Sequence, residues 1–119
     1  MKKVDVNDAR LAEVASAFAA LGSEQRLGVL RVLVRAGDDG LTIGELGARS
    51  GVSGSTLTHH MKILTQANLV RQEKRGRSII CAAVSYGEIK ALTEFLLSEC
   101  CADSAVSADC PPNTQKSGA

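Results

Sequence analysis

The chain has 119 residues, 45% of them hydrophobic and 23% charged, the composition of one small globular domain with a modest core. Aromatics make up only 3%, so that core must be Leu, Val, Ile and Ala, thin for a lone monomer and helped by burying a second face against a twin. No signal-peptide core and no run of about twenty apolar residues is present, so a membrane partner is excluded and a cytoplasmic soluble protein expected. Net charge is +1, but unevenly spread: residues 1–84 hold twelve Lys/Arg against eight Asp/Glu, and residues 85–119 hold two against five. The four cysteines of a cytosolic chain read as packed thiols, metal ligands or redox groups rather than structural disulfides.

Residues 1–7 are charged and read as a flexible N-terminus. From Asp8 a helical pattern runs through Leu11, Val14, Ala15, Phe18 and Leu21 and ends at Gly22. Ser23 can cap a second helix, in which Leu27, Val29, Leu30, Leu33 and Val34 form a broad buried stripe. Gly37-Asp38-Asp39-Gly40 is a turn cluster. Thr42 and Glu45 have the spacing of a capping box, opening a short helix with Leu46 inward.

Gly51-Val52-Ser53 predicts a tight turn, and Ser53 the N-cap of the next helix. In that helix Leu57, Met61 and Leu64 recur at helical spacing, while Ser55, Thr56, His59 and Lys62 gather on the opposite face. Two helices joined by a short Gly-containing turn, the second with a small polar leading edge, form the helix-turn-helix pattern. Such an edge suits the major groove, where hydroxyls and imidazoles reach base edges and a lysine reaches phosphate. The helix should end near Ala67, with Asn68 as its left-handed terminator.

Residues 69–74 and 77–84 predict two strands around a turn containing Arg75-Gly76, with Arg71, Lys74, Arg75 and Arg77 near its tip. A basic hairpin directly after a helix-turn-helix is a wing, placed for phosphate or minor-groove contact. Ser85 and Glu88 form a second capping box, starting a last helix with Ile89, Leu92, Phe95 and Leu96 on one face. Residues 99–119 are small, polar and acidic and read as a flexible, cysteine-containing tail.

The run Ala20-Leu21-Gly22-Ser23-Glu24-Gln25-Arg26-Leu27, the segment from Ser53 to Leu64, Ala67-Asn68-Leu69-Val70 and Arg75-Gly76-Arg77 together resemble the arsenic-repressor (ArsR/SmtB) family of bacterial transcription factors. The resemblance covers about residues 8–98. It implies a mainly α winged helix-turn-helix domain with a small β-hairpin, a homodimer formed through the first and last helices, and repression by occupying double-stranded operator DNA. It further implies Ser55, Thr56, Thr58, His59 and Lys62 as the groove-facing set and Arg75 and Arg77 as the wing contacts. Two family sensing sites do not transfer. The run Glu45-Leu46-Gly47-Ala48-Arg49 lacks the cysteine pair of the first-described sensors, and the last helix lacks the histidines of the zinc-binding branch.

The sensing chemistry is therefore sought in Cys100, Cys101 and Cys110. Thiolates are soft ligands suited to Cu(I), zinc-group ions, and trivalent arsenic or antimony. Three thiolates suit a three-coordinate pyramidal centre better than zinc, which prefers four ligands. If the last helix frays by Glu99, Cys100 and Cys101 can face one ion, and the eight residues between Cys101 and Cys110 close a loop cheaply. A pair with a downstream cysteine also resembles the C-terminal arsenite site of some family members. The expected function is thus a repressor that leaves its operator when arsenite or antimonite binds these thiols. Sensing of a persulfide, an oxidant or another soft metal by the same thiols stays open. A small enzyme is disfavoured, since no catalytic constellation or phosphate-binding fingerprint is visible. Cys81, in a β-branched strand, reads as a small buried hydrophobe, and His60 as a core-edge histidine.

Overall fold

The computed structural model describes residues 5, 7–52 and 54–104. The order of elements is α1 (Ala9–Ala20), α2 (Glu24–Ala36), β1 (Leu41–Thr42), α3 (Ile43–Ser50), α4 (Gly54–Gln66), β2 (Val70–Arg75), β3 (Ser78–Ala83) and α5 (Tyr86–Leu97).

Helix starts follow local capping chemistry. The side chains of Asp8, Ser23, Thr42 and Ser85 accept hydrogen bonds from backbone amides of the first turns of α1, α2, α3 and α5. The capping boxes Thr42/Glu45 and Ser85/Glu88 are both closed. The Glu45 carboxyl is held below its usual range, first by the Thr42 backbone amide and then by the Thr42 hydroxyl. The proposed cap of α4, Ser53, lies outside the described residues. Helix α4 ends in a Schellman motif: Asn68 is left-handed at φ 62°, its amide donates to Thr65 O at 3.0 Å, and the Leu69 amide donates to Leu64 O at 3.0 Å.

One difference from the sequence reading lies in the sheet. The hairpin of β2 and β3 is joined by a third strand, β1, in the antiparallel order β1-β3-β2, with Leu41 opposite Cys81 and Thr42 opposite Ile80. Two residues are too short to show a strand period, so Leu41-Thr42 reads only as the entrance to α3. The β2–β3 register pairs Val70 with Ala83 and Arg75 with Ser78, leaving Gly76 and Arg77 as the turn.

The core gathers Val14, Ala17 and Ala20 of α1, Val29, Leu30 and Leu33 of α2, Leu46 of α3, and Leu57, Met61 and Leu64 of α4 beneath Leu69, Val70 and Cys81. Two stripes are narrower than their apolar letters suggest. In α1 the buried positions fall at Val14, Ala17 and Ala20, and Phe18 is turned outward. In α2 Leu27 and Val34 are exposed. Each helix can aim only about a third of its circumference at a single core, so apolar residues outside that arc are left facing out. Nor does Gly22 adopt a left-handed conformation, since α1 closes through Leu21, whose amide donates to Ala17 O and Phe18 O.

Two glycines of the α2–β1 turn separate backbone strain from close packing. Gly37 and Gly40 both have positive φ, 78° and 68°. A Cβ at Gly37 meets open space, whereas one at Gly40 would press into the carbonyl of Cys81 and lie 2.9 Å from Ile80 Cγ2, at the β1–β3 pairing. Gly37, with ψ −163°, lies in a region that essentially only glycine occupies, so Gly37→Ala should lose roughly 1–3 kcal/mol of stability from backbone strain alone. Gly40→Ala should lose roughly 1–3 kcal/mol more, because β1 must separate from β3. Urea unfolding of the two variants checks the difference, and equal losses would contradict it.

Candidate nucleic-acid interface

Burial of one face of α4 fixes the other. Leu57, Met61 and Leu64 are 2%, 2% and 0% exposed, and His60 completes that side at 7%. At 3.6 residues per turn these positions span an arc of about 100°. Ser55, Thr56, Thr58, His59 and Lys62 are all exposed and share the remaining, outward side. The structure thus brings the five sequence-predicted α4 residues together on one surface. The Thr58 hydroxyl is partly committed, since it donates to Gly54 O at 3.4 Å.

Beside this face stands the wing. Arg75 and Arg77 are exposed at its tip, on either side of Gly76. Their surroundings differ. Arg75 forms an ion pair with Glu73 at 3.2 Å, while Arg77 forms none among the described residues. Arg71, at the base of the wing, donates from Nη2 to Asp38 O at 3.4 Å, tying β2 to the α2–β1 turn. Between α4 and the wing runs an open groove of about 440 Å³, lined by Ile43, Thr58, Lys62, Gln72 and Ile79. Hydroxyl, imidazole and ammonium groups on a helix beside a basic hairpin offer both base-edge and phosphate partners.

The thiols divide into two environments. Cys81 is fully buried, receives a hydrogen bond from Gln72 Nε2 at 3.6 Å, and has its pKa raised by burial, against the opposing pull of that bond. Cys100 and Cys101 are exposed just beyond α5, where the chain has left the helix and Cys101 turns left-handed at φ 62°. Their sulfurs lie 3.5 Å apart. With metal–sulfur lengths of about 2.3 Å, that separation subtends roughly 100° at a shared ion, narrower than a tetrahedron and suited to a pyramidal centre. The third predicted ligand, Cys110, lies outside the described residues, among which no group of three His, Cys, Asp or Glu side chains is assembled to hold a metal.

A polar cluster not foreseen in the sequence sits at the edge of the interface. His60 Nε2 lies 2.8 Å from Gln25 Oε1, His60 Nδ1 lies 3.3 Å from Arg26 Nη1, and Arg26 Nε donates to Ala20 O at 2.6 Å. A buried position in an apolar α4 stripe was the available signal, but its partners are 34 and 35 residues away in sequence.

Fold and site together define a winged helix-turn-helix domain of the kind found in DNA-binding transcriptional regulators. The family described as "Helix-turn-helix domain" matches residues 21–73. The transcriptional activator HlyU of Vibrio cholerae is 30% identical over 96 residues, covering 81% of this chain and 82% of HlyU. Its solved structure superposes with a TM-score of 0.61, covering 79% of this chain and 98% of that one. A form described as reduced HlyU superposes equally well, at 28% identity, a TM-score of 0.61, and coverage of 82% and 99%. An ArsR-like transcriptional regulator from Rhodococcus is 30% identical, with a TM-score of 0.67 and coverage of 81% and 86%. The chain belongs to the ArsR family of winged helix-turn-helix transcriptional regulators.

The unequal wing arginines give a graded expectation for DNA binding. Arg77→Ala should weaken binding across sequences and reduce the salt slope by about one. Arg75→Ala should do less, because Arg75 must first leave Glu73, and Glu73→Gln should strengthen binding. Thr56→Ala or His59→Ala should instead shift base preference. Anisotropy titrations over a salt series, on promoter and unrelated duplexes, separate these effects, and a uniform effect of the four alanine substitutions would contradict the assignment.

Proposed function

We propose that this chain is a homodimeric repressor that occupies operator DNA through α4 and the wing and leaves it when trivalent arsenic or antimony binds Cys100, Cys101 and Cys110. The observation that carries the sensing half is the pair of sulfurs 3.5 Å apart at the end of α5. Soft thiolates at that spacing favour a thiophilic trivalent ion over hard cations. Binding requires deprotonated sulfurs and releases protons, so inducer affinity should fall in acid.

The dimer half rests on apolar surface that one copy leaves outward. On α1 this is Phe18, and on α5 Leu96 and Leu97, 67% and 63% exposed. Leu92, by contrast, is buried within its own chain, and Phe95 packs partly against that core with Arg10 5.6 Å above its ring. Leu96→Glu or Leu97→Glu should therefore give a folded monomer that no longer holds an operator, because both half-sites must be engaged together. Sedimentation and circular dichroism read the two properties, and a stable wild-type monomer at micromolar concentration would contradict the dimer.

Inducer coupling through α5 should follow the usual size of such effects, about 1–3 kcal/mol, or a 5- to 150-fold loss of operator affinity. The test is operator binding with arsenite, antimonite, zinc and cadmium under reductant, and with an organic persulfide once the reductant is removed, on wild type and each Cys→Ser variant. Release by arsenite in wild type, lost in the Cys100/Cys101/Cys110→Ser triple variant, supports the reading, whereas release that survives the triple substitution overturns it. A second reading draws on the same close sulfurs and on the relative solved in a reduced form: a persulfide or oxidant is the signal. It predicts release by persulfide alone, with a new disulfide seen by mass spectrometry. Since HlyU is named an activator, a promoter-reporter assay decides whether occupancy represses or activates.

A further inference from the structure

The buried cluster around His60 is not explained by packing alone. The structure describes Leu57, Met61 and Leu64 as the apolar contacts of α4, yet the fourth buried position of that face is a histidine held by two side chains of α2. Arginine has no acceptor, so the Nδ1 facing Arg26 must carry the lone pair, and the proton resides on Nε2, which donates to Gln25 Oε1. Both ring nitrogens are thus satisfied only in the neutral form. Arg26 is itself oriented by its 2.6 Å bond to the Ala20 carbonyl, at the end of α1. A chain of hydrogen bonds therefore runs from the end of α1 through α2 to the middle of α4, one residue from the exposed His59.

We propose that His60 is a positioning residue for DNA binding: its neutral ring fixes the seat of α4 on α2 through Gln25 and Arg26, and adding a proton loosens that seat and weakens operator binding. A proton on Nδ1 would point at the Arg26 guanidinium and remove the only acceptor that guanidinium nitrogen has on the ring. The groups acting on the ring's charge are Arg26 from α2 and His59 from its own helix, and no acid forms an ion pair with it among the described residues. In keeping with this, the His60 pKa is lowered from 6.5, first by burial, then by Arg26, then by His59. A histidine with a lowered pKa in the seated state supports that state fully above about 6.5, and the support is lost as pH falls below that value.

The proposal rests on operator binding by α4, and the test keeps the two apart. Operator affinity of wild type at pH 7.5 is the reference, and absence of binding there refutes the DNA-binding reading itself. Wild type, His60→Gln and Gln25→Glu are then titrated with operator from pH 7.5 to 5.5 at constant ionic strength under reductant. Gln at 60 keeps a donor toward Gln25 but cannot titrate, and Glu at 25 gives the imidazolium a counter-charge. Wild type should lose several-fold more affinity than His60→Gln over this range. Gln25→Glu should also lose less than wild type, which keeps the test valid if His60→Gln does not fold. Ratios that stay flat with pH, or a wild type that gains affinity in acid relative to the variants, would overturn the proposal.

Discussion

The constraint on which the molecule depends is the rotational setting of α4. Each of Leu57, Met61 and Leu64 gains roughly 1.5–3 kcal/mol from burial. A turn of about 100° about the helix axis, one residue's worth, would expose Leu57 and Leu64 and drive Thr58 and Lys62 into the core. The polar face is thus outward because no other rotation buries the apolar one. The ends are fixed as well: Gly51 closes α3 in a left-handed conformation, and Asn68 and Leu69 close α4 and lead the chain straight into β2.

The wing inherits its position from the same core. Strand β3 lies in the middle of the sheet, with Cys81, Ala82 and Ala83 buried and Ser78 and Ile79 exposed. One half is therefore an anchor and the other a projecting arm, carrying Arg75 and Arg77 beyond the body of the domain. The short β1 strand holds the anchored half from its other edge, with Gly40 allowing the close approach. This division also separates the thiols by chemistry. Burial keeps Cys81 protonated and out of reach, while Cys100 and Cys101 stand exposed at the end of α5.

Local signals were read well from the sequence where the physics is local. The Ser23, Thr42 and Ser85 caps, the Asn68 terminator and the α4 stripe depend on residues three or four apart, and all appear where their spacing places them. Four outward α4 residues, Ser55, Thr56, His59 and Lys62, followed from that stripe, and Thr58 was added by the family resemblance. Features depending on distant partners were not legible. β1 exists through its pairing with β3, some forty residues on. Leu27, Val34 and Phe18 have apolar side chains that fall outside the arc their helices turn to the core. The bonds from His60 to Gln25 and Arg26 join helices distant in sequence, so the letters gave only a histidine at a buried position. The proximity of Cys100 and Cys101 depended on where α5 ends, which sequence left conditional on fraying and the structure sets at Leu97.

The central claim is that two copies of the α4 face, flanked by their wings, engage one side of a duplex. Hydroxyl-radical footprinting of the reduced protein on its own promoter region tests it most directly. The account predicts two protected patches on the same side of the DNA, with centres about 34–36 Å apart or slightly more, and weaker protection beyond them from the wings. A single patch, continuous protection without phase, or no protection at low salt would contradict it.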